Sequence, residues 1–114
     1  KLNINKPNKL FAQCWVNIMR KGQQIKPHIH SVEADCYLGG HICVKCKDTS
    51  THYINSFNQL NDTNRYSIKN EVGKIILFQS NIPHYTTVHK NQKERITIAF
   101  DLKMNKNKNY VQLI

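Results

Sequence analysis

Three histidines and an arginine in this 114-residue chain have the types and spacing of a metal site with an anion-binding group beside it: His28-Ile-His30, then His84, then Arg95. Residues two apart on a strand point to the same face, so His28 and His30 can converge on one point. A third imidazole from a distant strand, His84, would complete a facial set. Such a set leaves open positions for substrate or dioxygen, as a catalytic metal requires and a structural one does not. Arg95 opens the run Arg95-Ile-Thr97, which puts a guanidinium and a hydroxyl on one face. Together they suit a carboxylate, which takes two parallel charge-assisted bonds and one more. The same residues also have a plainer reading. His-x-His is a short pattern that arises by chance, and Arg95 could be a strand-end charge paired with Glu94.

The elements that must position these groups read as β throughout. Strands are expected over 14–19, 41–46, 51–55, 65–68, 74–78, 84–89 and 95–102. Pro27 argues against helix before the first histidines. The run Lys74-Ile-Ile-Leu-Phe78 is apolar enough for a central strand, and an Asn-rich loop fills 58–64. His89 lies five residues beyond His84, so on a regular strand it points to the opposite face and into solvent. His41 and His52 belong to the barrel lining or to the surface. Short strands at this spacing indicate a sandwich or barrel.

Length and composition frame the expectation of a single domain over 1–114. The net charge is +10, from 17 Lys and Arg against 7 Asp and Glu. That balance invites a polyanion-binding reading, but only Arg20, Arg65 and Arg95 are arginines, and the 14 Lys are interleaved with 14 Asn. A solvated basic surface, slightly favouring an anionic substrate, is the expected consequence. No run approaches the ~20 apolar residues that span a bilayer, and no secretory leader is visible. The expectation is a cytoplasmic protein with no membrane partner. Cys14, Cys36, Cys43 and Cys46 match no disulfide framework, and the lone Cys43-Val-Lys-Cys46 lacks the second pair of a zinc knuckle. Reduced, partly buried thiols are expected.

Five stretches in order carry a resemblance: Cys14-Trp-Val-Asn-Ile-Met-Arg-Lys-Gly22, Pro27-His-Ile-His30, Gly73-Lys-Ile-Ile-Leu-Phe78, Pro83-His84 and Glu94-Arg-Ile-Thr-Ile-Ala-Phe-Asp-Leu102. From about Trp15 to Leu102 the chain resembles the iron(II)- and 2-oxoglutarate-dependent oxygenases, most closely a small branch found in bacteria and phages. The resemblance implies a double-stranded β-helix, a jelly-roll relative of cupins. It implies iron on His28 and His84, and Arg95 with Thr97 on the distal carboxylate of 2-oxoglutarate. It further implies Asn17 hydrogen-bonding that cosubstrate, dioxygen as the second cosubstrate, and hydroxylation of a substrate it does not name.

One departure bears on the metal. The superfamily's usual His-x-Asp/Glu has His30 in the carboxylate's place, and His30 is taken as the third ligand. Glu33 or Asp35 would serve instead if the chain bulged after His30. Three neutral imidazoles leave more positive charge on a metal, and zinc or nickel could occupy such a site. The family's aromatic residues after the metal pair are also missing, with His41-Ile-Cys43 in that stretch. Two other readings compete: a cupin-like metal protein that does not use 2-oxoglutarate, and a basic module binding nucleic acid or another polyanion. Titration with 2-oxoglutarate separates the first, and salt-dependent binding that survives metal removal marks the second.

Overall fold

The computed structural model describes residues 7–54 and 65–114. Among these residues eight strands follow in order: β1 (Phe11–Met19), β2 (Cys36–Lys45), β3 (Ser50–Ile54), β4 (Arg65–Lys69), β5 (Ile75–Phe78), β6 (His84–Tyr85), β7 (Arg95–Lys103) and β8 (Val111–Gln112). Among the described residues no helix is long and apolar enough to cross a membrane. The strands form two antiparallel sheets, one ordered β5-β2-β7-β1-β8 and the other β4-β3-β6. The small core is Tyr53, Ile76 and Phe78, with Ile68 and Ile82 packed against it.

The alternation along the central strand β7 runs opposite to what burial of apolar side chains dictates, while the inward set of β1 mixes Phe11, Trp15 and Met19 with Asn17. On β7 the buried positions are Arg95, Thr97, Ala99 and Lys103, while Ile96, Ile98, Phe100 and Leu102 alternate with them and are only half-buried. On β1 the half-buried Trp15 and Asn17 alternate with exposed Cys14, Val16 and Ile18. The register sets Asn17 beside Thr97 and Met19 beside Arg95, with Cys43 on the other flank of Thr97. Polar groups therefore line the space between the sheets. The outer face of the large sheet is apolar, and Ile75 and Leu77 of β5 continue it.

Several expected strands shift. The segment 74–78 is not central: β5 is an edge of the large sheet. Its run is apolar because Ile76 and Phe78 fill the core while Ile75 and Leu77 face outward on the exposed apolar side. The expected strand 84–89 ends after Tyr85, because the chain leaves the sheet to pair with the loop after β1. Thr86 N–H donates to Ile25 O (2.9 Å), His89 N–H to Gln23 O (2.8 Å), and Gly22 N–H to His89 O (2.8 Å). That pairing also corrects the expectation for His89. It is buried, with Nε2 donating to Lys93 O at 2.7 Å. The loop at 58–64 lies outside the described residues.

Gly39 and Gly40 on β2 are required by close approach. A Cβ on Gly40 would lie 2.8 Å from Ile76 O. A Cβ on Gly39 would lie 2.8 Å from both His30 Nδ1 and Phe78 Cε2, so the bare backbone there makes room for the His30 ring.

Candidate metal and anion site

His28 and His30 do not sit on a regular strand, since Pro27 and the turn residues around it keep that segment irregular. Single backbone pairs place them instead. His28 N–H donates to His84 O (3.1 Å) and His84 N–H to His28 O (3.0 Å), which fixes the two histidines side by side. His30 N–H donates to Ser80 O at 2.9 Å, tying the next turn to the end of β5. The three rings gather, with centroids 4.3 Å apart for His28 and His84 and 4.9 Å for His30 and His84. One ligand atom from each of the three lies within 4.8 Å of the others.

Each imidazole is held through the same nitrogen. His28 Nδ1 bonds Lys26 O (2.8 Å), His84 Nδ1 bonds Ile82 O (3.0 Å), and His30 Nδ1 bonds Asp101 Oδ1. An acceptor at Nδ1 places the proton there and leaves the lone pair on Nε2, the arrangement that outer partners impose on metal-ligating histidines. Burial pushes the His84 imidazole down from 6.5 to about 4, with the Ile82 hydrogen bond opposing. The ring is therefore neutral at pH 7, as a ligand must be.

A cavity of about 110 Å³ is lined by the three histidines together with Arg95, Thr97 and Asn17. Arg95 is 2% exposed. Its Nη2 donates to Thr51 Oγ1 at 3.3 Å, while Nε and Nη1 have no partner. Among the described residues no carboxylate pairs with it: Glu94, the acid next to it, bonds Arg20 at 3.0 Å. Burial pushes the guanidinium down from its ordinary value. An unmatched buried guanidinium is costly, and an anion placed against Nε and Nη1 would satisfy it.

Glu33 and Asp35 are drawn away from the histidines by Lys103, whose Nζ lies 2.5 Å from Glu33 Oε2 and 3.8 Å from Asp35 Oδ1. The carboxylate that does reach His30 comes from Asp101, far along the chain. His41 also joins the cavity wall. It is buried, its Nε2 is unpartnered, and burial, then the Arg95 charge, pushes it from 6.5 to about 4. His52 is buried but does not line this cavity, and its Nδ1 lies 2.7 Å from Ser67 Oγ. The four cysteines are free thiols. Sequence reasoning missed Asp101 and Thr51, and neither has a local signal: each is recognised only by what it faces across the sheets.

The buried neutral imidazoles set a pH dependence. In the unfolded chain His41 and His84 protonate below about 6.5, whereas in the fold they resist until about 4. Stability is complete above 6.5 and falls as pH drops toward 4, where the loss levels off. Each histidine removes on the order of 3 kcal/mol across that window. Urea unfolding of the metal-free protein at pH 7 and pH 4.5 should show the fall, and His41→Asn should reduce it. Equal midpoints at the two pH values would contradict it.

Two antiparallel sheets around a cavity with inward polar groups define a double-stranded β-helix of the oxygenase type. The sequence matches the family described as "Putative 2OG-Fe(II) oxygenase" over residues 13–101, and the chain belongs to that family. It is similar in structure to an oxidoreductase of the 2OG-Fe(II) oxygenase family from Burkholderia pseudomallei, at 15% identity and a TM-score of 0.73, covering 92% of this chain and 50% of that one. A prolyl-4-hydroxylase from Pseudomonas putida matches at 11% identity and a TM-score of 0.64, covering 81% and 52%. The nickel complex of the non-heme monooxygenase ThoJ matches at 10% identity and a TM-score of 0.63, covering 83% and 44%. The chain thus spans about half the length of these solved proteins. No curated protein matches the sequence. Family membership implies iron(II) and 2-oxoglutarate. Three imidazoles with Nδ1 tied back and a buried guanidinium with two unmatched nitrogens are donors that fit both groups.

Proposed function

We propose that this chain couples the oxidative decarboxylation of 2-oxoglutarate to hydroxylation of a substrate. In that reaction one oxygen atom of O2 goes to succinate and the other to the new hydroxyl, with CO2 released. His28, His30 and His84 hold the metal; Arg95 and Thr97 hold the distal carboxylate of 2-oxoglutarate, and Asn17 hydrogen-bonds it. The iron, when bound, supplies dioxygen activation. The chain's residues orient and exclude. The Nδ1 bonds fix the three rings, Trp15 and Phe78 wall the cavity, and neutral His41 presents an unpartnered Nε2 beside Arg95.

The observation that carries this reading is Arg95, buried in the same cavity as the three histidines with no acid paired to it among the described residues. A cupin-like metal protein would not require it. The net charge of +10 favours an anionic substrate, and the four free thiols support a cytoplasmic setting. We read residues 1–114 as a single domain. Calorimetric titration of the manganese-loaded protein with 2-oxoglutarate tests the reading. Binding should require the metal and disappear with EDTA. Failure of the manganese protein to bind 2-oxoglutarate at millimolar concentration would sink it.

A further inference from the structure

The three imidazoles differ in what holds them. His28 and His84 give their Nδ1 protons to neutral backbone carbonyls, of Lys26 and Ile82. His30 alone faces a carboxylate, Asp101. The pair is enclosed: the His30 side chain is 5% exposed and that of Asp101 18%. Asp101 sits on β7 opposite Gln13 of β1 and Gly39 of β2, six residues along the same strand from Arg95. The ring is further confined by Gly39, edge-on by Phe78 at 5.1 Å, and by Trp15 at 5.4 Å. The other acids in the neighbourhood, Glu33 and Asp35, are committed to Lys103. Asp101 is not among the clustered ligand atoms themselves.

We propose that Asp101 is the positioning residue of the metal centre. It holds His30 with Nε2 toward the metal and supplies, one hydrogen bond removed, the negative charge that three imidazoles lack. The inference rests on the metal-centre reading above. A donor set of neutral nitrogens binds a divalent ion without cancelling any of its charge. A carboxylate accepting from the far nitrogen makes the ring more basic and fixes its orientation, and loss of such a partner typically lowers metal affinity by about 10- to 100-fold. The carboxylate missing from the position of His30 is thereby restored in space from a residue 71 positions away.

Cobalt(II) titration of the full chain, followed by its visible absorption, tests this. Asp101→Asn keeps the shape and an acceptor oxygen but removes the charge, and should weaken cobalt binding about 10-fold. Asp101→Ala removes both and should weaken it about 100-fold, with a shifted cobalt spectrum. A purely structural Asp101 would lower the melting temperature of the metal-free protein while leaving affinity and spectrum of the folded protein unchanged, and that result overturns the proposal. If Asp101→Ala does not fold, the near-isosteric Asp101→Asn decides alone. Should wild-type protein fail to bind cobalt, or His84→Ala bind it as wild type does, the metal-centre reading itself fails. If wild type binds, His84→Ala does not, and both Asp101 variants match wild type, only the role of Asp101 is lost.

Discussion

Arg95→Met is expected to abolish 2-oxoglutarate binding and to leave the protein without its ligand at least as stable as before. The two effects have one cause. Arg95 carries a charge at 2% exposure with Nε and Nη1 unmatched, so in the absence of an anion its burial is a cost to the fold. Replacing a poorly compensated buried charge with an apolar side chain of similar length is often neutral or stabilising. Its one hydrogen-bond partner survives the change, because Thr51 Oγ1 also donates to Asn70 Oδ1 at 3.0 Å. Once a carboxylate is bound, the balance reverses. Losing a buried charged partner then costs about 2–5 kcal/mol, or roughly 30- to several-thousand-fold in affinity. Calorimetry with 2-oxoglutarate and urea unfolding of the same variant check both halves. A variant that binds 2-oxoglutarate normally, or that is several kcal/mol less stable, contradicts the role given to Arg95.

His84→Ala is expected to remove metal binding, with a larger effect than the roughly 10- to 100-fold typical of losing an outer-shell partner. The ring is buried, neutral at pH 7 and packed at a tilt against Phe78 with centroids 4.5 Å apart, so the substitution also leaves a void. His89→Ala provides the control. It is equally buried and makes its own hydrogen bond to Lys93 O, yet it does not line the cavity. Both variants should lose stability, and only His84→Ala should lose the metal. Equal manganese affinity in the two, measured by calorimetry, would separate His84 from any metal role.

Most of the strands were legible from local patterns, because β-propensity is a property of short stretches; the gathering of the histidines was not, because His28 and His30 lie off any strand and are placed by backbone bonds to His84 and Ser80. Arg95 and Thr97 share a face, as their spacing predicts, but spacing alone does not select the buried one. On β7 the isoleucines would ordinarily face the core, and instead the polar set does. The interior of this fold holds a cavity lined by Arg95, Thr97 and the histidines rather than a fully packed apolar layer. The same inversion explains why 74–78 resembled a central strand while lying at an edge, with apolar residues on both of its faces. The expectation for His89 fails because the alternation rule presumes a strand, and the chain beyond Tyr85 is held by the loop after β1 instead. Asp101 was out of reach for another reason. Its pairing with His30 depends on the β1–β7–β2 register and the bare backbone of Gly39, which no local pattern encodes.

If the three histidines and Arg95 act on one ligand pair in one cavity, iron(II) and 2-oxoglutarate meet there. Anaerobic titration of the iron(II)-loaded protein with 2-oxoglutarate, monitored by visible absorption, reads that meeting. A charge-transfer band should appear only when protein, iron(II) and 2-oxoglutarate are all present. It should saturate at one equivalent per chain and be missing in Arg95→Met at the same concentrations. Iron(II) that remains unbound, or bound iron that yields no band at saturating 2-oxoglutarate, would contradict that joint role.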